Sequence, residues 1–103
     1  MNPIHDALLL AVRAGFELNV RQLVVLLEVV EAKQPPTVRS LAAHLQVSKP
    51  AITRAMDRLE TLDWARRRVD PADRRSVLIT ATEEGRKQAR RLFDAGGLFA
   101  QAA

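Results

Sequence analysis

"LAAHLQVSKPAITRAMDRLE", residues 41–60, decides how this chain folds. Leu41, Ala42 and Leu45 recur at helical spacing, and so do Ala51, Ile52, Ala55, Met56, Leu59 and Leu62 just beyond. Between the two runs Gln46-Val47 reads as a turn. Ser48 is suited to cap the second helix, because its hydroxyl can accept from amides that have no partner within the helix. Pro50 is tolerated in that first turn, where a missing N–H costs nothing. Lys49, Pro50, Thr53, Arg54, Asp57 and Arg58 lie off the apolar face. The stretch is therefore a helix-turn-helix with one apolar side and one polar, basic side.

On the N-terminal side two more helices are expected. Asn2 can cap the first, Pro3 suits its opening position, and Asp6 favours its positive end. Gly15 can terminate it. Ile4, Leu8, Ala11 and Val12 form one stripe on it, and Leu9 and Leu10 widen the apolar surface around it. The next helix opens at Asn19, which has capping-box spacing with Gln22. Leu23, Leu26, Leu27 and Val30 mark its buried face, Pro35-Pro36 stop it, and Thr37 caps the helix that follows.

On the C-terminal side the pattern changes. "WARRRVDPADRRSVLIT", residues 64–80, predicts an antiparallel hairpin. Trp64 to Val69 and Ser76 to Thr80 are its strands, and Asp70-Pro71-Ala72-Asp73 fits a type I turn with proline second. A last helix starts near Thr82, with Glu83 and Glu84 at its positive end, and runs to about Ala95; the residues after Gly96-Gly97 read as a frayed end. The fold class is mainly α. The order is helix, helix, helix-turn-helix, two-stranded wing, C-terminal helix.

The chain is basic, with a net charge of +4 over 103 residues and an isoelectric point near 10.6. Phosphate-bearing or anionic partners are favoured. It contains no cysteine, which fits a reducing compartment. The early apolar run from Ala7 to Val12 is too short to span a bilayer and lacks the flanks of a signal peptide. A cytoplasmic location and no membrane contact are expected.

The basic residues are placed for duplex DNA. The capped start of the second helix of the motif, with Ser48, Lys49, Pro50, Thr53 and Arg54, suits a recognition helix whose first turns meet base edges and phosphates in the major groove. Arg58, further along, suits a phosphate. Strand alternation puts Arg66 and Arg68 on one face of the hairpin and Arg67 on the other, with Arg74 and Arg75 beyond the turn. Arginines on an exposed ribbon suit a minor groove. Asp73 is either a turn residue or a brace that orients Arg75.

Residues 41–86, "LAAHLQVSKPAITRAMDRLETLDWARRRVDPADRRSVLITATEEGR", resemble the winged helix-turn-helix core of the MarR family of bacterial transcription regulators. With "NVRQLVVLLEVV" from Asn19 the resemblance spans about two thirds of the chain. It rests on the combined order of "LA", "VS", "AITR", "DRLE" and "DRRSVLI" followed by "TEEG". It implies a sequence-specific double-stranded DNA-binding regulator, a repressor acting as a homodimer on a pseudo-palindromic operator. Ser48, Lys49, Pro50, Thr53 and Arg54 match the DNA-facing start of the family's recognition helix. Asp73 and Arg75 match the family's wing-tip pair, in which the arginine enters the minor groove and the aspartate braces it. A small-molecule effector of unknown identity is also implied. Gln46 and Asp63 stand where the family usually has glycine, and Trp64 replaces a smaller apolar residue. The terminal helices are shorter than those through which the family dimerises.

The expected organisation is one domain over 1–103. Residues 1–18 form an N-terminal helix that offers Ile4, Leu8, Leu9 and Leu10 as a dimer contact, 19–80 the DNA-binding core and wing, and 81–103 the C-terminal helix and tail. The last helix and Leu98-Phe99 would assist the dimer. No enzyme motif, cofactor or metal site is expected: His5 and His44 sit on different helices, and no glycine-rich phosphate loop or nucleophile motif is present. The competing reading is a winged-helix module that docks proteins without specific DNA binding.

Overall fold

A computed structural model describes residues 2–96, so the expectation for Leu98-Phe99 lies outside the described residues. Every helix opens on a side chain that accepts from its own first turn. Asn2 accepts from the Ile4 and His5 amides at 2.9 and 3.4 Å and opens α1 (Pro3–Arg13). Asn19 and Gln22 cap each other's backbone at 2.8 and 2.9 Å and open α2 (Val20–Glu31). Thr37 and Ser40 make the same reciprocal pair, both bonds at 2.9 Å, and open α3 (Val38–Leu45). Ser48 accepts from Ala51 at 3.2 Å and opens α4 (Lys49–Thr61). Thr82 accepts from Gly85 at 3.0 Å and opens α5 (Glu83–Ala95).

Three of the helices end alike. Gly15, Gln46 and Asp63 take left-handed φ values of 76°, 58° and 60°. The next amide then reaches back into the last turn: Phe16 to Ala11 at 2.9 Å, Val47 to Ala42 at 3.0 Å, Trp64 to Leu59 at 2.9 Å. These bonds satisfy carbonyls that the helix leaves open. At Gln46 and Asp63 the fold accepts a left-handed residue with a Cβ, at a cost of about 1 kcal/mol each.

Between α4 and α5 lies the hairpin, β1 (Ala65–Asp70) against β2 (Asp73–Ala81). Pairing runs from Ala65 with Ala81 to Val69 with Val77, and an irregularity precedes the pair Asp70 with Asp73. β2 starts at Asp73, nearer the tip than the sequence suggests, because both turn carboxylates bind backbone. Asp70 accepts from the Ala72 amide at 2.8 Å and Asp73 from the Arg75 amide at 3.1 Å. The segment before α3 adds a single bridge, Thr37 with Leu78, and the Ile79 amide donates to the Pro36 carbonyl at 2.8 Å. The two prolines thus border the sheet rather than stop α2, which has already ended at Glu31.

The main core joins Val25, Leu26 and Val29 of α2 to Leu41 and Ala42 of α3, Ile52, Ala55, Met56 and Leu59 of α4, Ala65 and Ile79 of the hairpin, and Ala89 of α5. A smaller cluster joins Ala11 to Leu23 and Leu92, with Leu10 packed against it. Two expectations change here. On α2, Val25 and Val29 are buried and Leu27 and Val30 only partly so. On α1, Leu10 belongs to the chain's own packing, while Ile4, Leu8 and Val12 point outward at 71%, 49% and 76% exposure. Both helices are apolar over more than half their circumference, so the pattern leaves their rotation open and the neighbours set it.

The start of α5 is pressed onto the root of the hairpin. The Trp64 carbonyl accepts from the Thr82 amide at 3.0 Å, and the Thr82 hydroxyl donates to the Asp63 carbonyl at 2.6 Å. A Cβ on Gly85 would lie 1.9 Å from that Trp64 oxygen, so only glycine fits. Phe16 meets the Trp64 ring edge-on at 5.0 Å, which ties the loop after α1 to the same place.

Candidate nucleic-acid interface

α4 buries Ala51, Ile52, Ala55, Met56 and Leu59, which turns Lys49, Pro50, Thr53 and Arg54 outward. Ser48 spends an oxygen lone pair on the Ala51 amide and keeps its hydroxyl proton for another acceptor. The Arg54 Nε donates to the Pro50 carbonyl at 3.4 Å, so this guanidinium lies back along the start of the helix. Arg58 is half-buried near the other end. The expected recognition face is therefore continuous from Ser48 to Arg54, with Arg58 apart from it.

The wing stands beside this face. Arg68, Asp73, Arg74 and Arg75 are all exposed. Arg75 is 93% exposed, and its Nε lies 3.7 Å from Asp73 Oδ1, too far for a hydrogen bond. Asp73 instead accepts from the Arg75 amide and, at 3.3 Å, from the Ser76 hydroxyl. Its two sequence roles merge: it is a turn residue that sets the backbone from which Arg75 projects.

Sequence reasoning did not single out Arg67. It sits on the opposite strand face from Arg66 and Arg68, as alternation requires, and turns toward α4. Its Nη2 donates to Asp57 Oδ1 at 2.7 Å, its Nε donates to Glu60 Oε1, and its Nη1 reaches the Thr53 carbonyl at 3.4 Å. Its side chain is only 26% exposed. Burial alone would lower its pKa, but the hydrogen bonds and charges of Asp57 and Glu60 outweigh that and raise it above the ordinary arginine value. Arg67 thus bolts the wing to the recognition helix and offsets part of the charge of two carboxylates that would repel phosphate. The signal was legible: Asp57 and Glu60, three apart on α4, wait for a cation on the strand that follows.

Neither histidine lies near this surface's chemistry. His5 is exposed on α1, and His44 Nε2 lies 3.1 Å from Glu28 Oε1 between α3 and α2. Among the described residues no cluster of three or more His, Cys, Asp or Glu side chains could hold a metal, and no helix is long and apolar enough to cross a membrane.

Five helices among the described residues, with a helix-turn-helix and a two-stranded wing, make a winged-helix protein of the kind found among transcriptional regulators. Residues 6–76 match the sequence model of the MarR family, and the chain belongs to that family. Its fold is similar to that of the transcriptional regulator Tm0710 from Thermotoga maritima, with a TM-score of 0.80 and 23% identity over 97% of this chain and 68% of that one. It is also similar to S. aureus MepR, solved as a DNA complex, with a TM-score of 0.77 and 23% identity over 86% of this chain and 73% of that one. Reduced AbfR bound to DNA is 32% identical with a TM-score of 0.71, over 82% of this chain and 60% of AbfR. No curated protein sequence matches the chain. MarR proteins are regulators of transcription rather than enzymes, in line with the sequence.

Proposed function

We propose that this protein is a sequence-specific double-stranded DNA-binding repressor that lays α4 in a major groove and its arginine wing in the adjacent minor groove. The observation that carries the reading is the pairing of two surfaces: the open face of Lys49, Pro50, Thr53 and Arg54, and a basic wing bolted to the same helix through Arg67. A fixed angle between the two lets one rigid unit engage both grooves. Thr53 and Arg54 are assigned to base edges or the phosphates beside them, Ser48 and Lys49 to the backbone, and Arg58 to a phosphate. Arg75 enters the minor groove, with Arg68 and Arg74 on the flanking phosphates. AbfR and MepR, solved with DNA, support this reading.

The test is selection of bound fragments from random duplex, followed by gel shifts at low salt. The wild type should enrich a defined pseudo-palindrome, and Thr53 substitutions should change which sequence is enriched. No retardation of any duplex at micromolar protein would favour a protein-docking module instead.

The working unit in this proposal is a homodimer, with two recognition helices roughly 34–36 Å apart. Ile4 and Leu8, with Val12, supply the outward apolar stripe of α1 that a second copy would cover, and the partly buried Leu9 borders it. Leu8→Glu should dissociate the dimer in light scattering at tens of micromolar and leave the fold intact, since an apolar contact cannot solvate the carboxylate. Leu10→Glu should instead lower thermal stability, because Leu10 packs inside the chain.

A further inference from the structure

Two clefts flank α4, and each adds a cation not assigned above to residues that are. Lys49 and Thr53, four apart, share one flank of the helix; Ala51 and Ala55, four apart, share the other. On the Lys49 side, a cleft of about 380 Å³ runs between α4, the start of α3 and the wing, where Arg39, Arg67 and Arg75 line it with Val77 as part of its apolar wall. On the other side, a cleft of about 360 Å³ runs between α4 and the start of α2, lined by Arg21, Gln22 and Arg54. No aspartate or glutamate lines either one. The clefts around α5 differ: one holds Asp63, Glu83 and Glu84, another Glu31, another Glu83. Arg67 has already given its charge to Asp57 and Glu60, whereas the Arg39 and Arg21 side chains make no hydrogen bond or ion pair among the described residues.

A helix about 10–12 Å across fills a major groove about 12 Å wide, so the phosphate ridges of both strands must come against its flanks. We propose that the two clefts beside α4 seat these ridges, with Arg39 holding a phosphodiester on the wing side and Arg21 one on the α2 side. The inference rests on the DNA-binding reading and adds to it two cations from outside the recognition helix and the wing. Both act on the backbone and carry no sequence information. They also place the first turns of α2 and α3 on the DNA, so that three helices, not one, fix the docking angle.

The experiment is fluorescence anisotropy of labelled duplexes, one selected site and one random, across a salt series. It uses Arg39→Ala, Arg21→Ala, the two lysine counterparts and Lys87→Ala from an acid-containing cleft as control. Each alanine variant should weaken both duplexes by a similar factor, about 3- to 10-fold, and flatten the salt slope by about 0.9 per protomer bound, or about 1.8 for the dimer. The double variant should flatten it by about twice that. Lysine should restore most of the loss, and Lys87→Ala should match the wild type. Circular dichroism should be unchanged throughout, since Arg21 and Arg39 are exposed. Wild-type protein that binds neither duplex defeats the DNA-binding reading itself. Wild-type binding, with either alanine variant unchanged in affinity and slope, overturns the inference. So does a variant that alters the preferred sequence instead of weakening all sequences alike.

Discussion

The root and the tip of the wing carry the same residue type to opposite ends. At the root, Arg67 is gripped by Asp57, Glu60 and the Thr53 carbonyl, and the strand behind it is fixed by Thr82 and Gly85 against Trp64 and Asp63. At the tip, Arg75 projects into solvent and only the backbone beneath it is held. The root arginine has few degrees of freedom left, with all three of its nitrogens already donating within the protein. The tip arginine keeps its donors and waits to be ordered. Charge counting treats the two as equal, but the first builds the platform and the second would use it.

The largest break in this comparison should come from the root. Gly85→Ala drives a Cβ into the Trp64 carbonyl, a backbone atom that cannot swing away. Stability in urea should fall toward the upper end of about 1–3 kcal/mol, and DNA binding should fall with it. Arg67→Met comes next. It removes the bolt and leaves Asp57 and Glu60 facing the DNA side, so stability should drop by about 1–2 kcal/mol. Affinity should drop on the order of tenfold for all sequences. The raised pKa of Arg67 means that its contribution is fully present below the ordinary arginine value and lost only above it, so the wild-type bolt should be insensitive to pH in any practical assay on the arginine's side.

The tip should answer differently. Arg75→Ala should leave the thermal midpoint unchanged and weaken operator binding roughly tenfold or more, read by gel shift. An Arg75→Ala protein with wild-type affinity would remove the tip from the interface and reverse the contrast. Asp73→Ala should have the smallest effect, a loss of roughly two- to threefold. The exposed 3.7 Å ion pair contributes little, and what is lost is the backbone bond that aims Arg75.

Local chemistry was legible from the residues alone. All five helix starts among the described residues lie where Asn2, Asn19, Thr37, Ser48 and Thr82 announce them, because a cap satisfies amides within three residues of itself. Gln46 and Asp63, which stand where the family usually has glycine, occupy left-handed positions. The hairpin and its alternation followed from the arginine run and the Asp70–Asp73 turn. What local chemistry could not supply was the rotation of α1 and α2, the bridge from Thr37 to Leu78, and the arrival of Arg21 and Arg39 beside α4.

The sequence by itself determined the order of elements, the amphipathic face of α4 and the family, since each depends on residues near one another in the chain. Only the tertiary structure decided which side of α1 is free and which wing arginine is bound, because those depend on partners seven or more residues away. A helix that is apolar on most sides has several equivalent rotations until α5 and α2 pack against it. An arginine on a strand has no fixed role until a helix brings two carboxylates within reach.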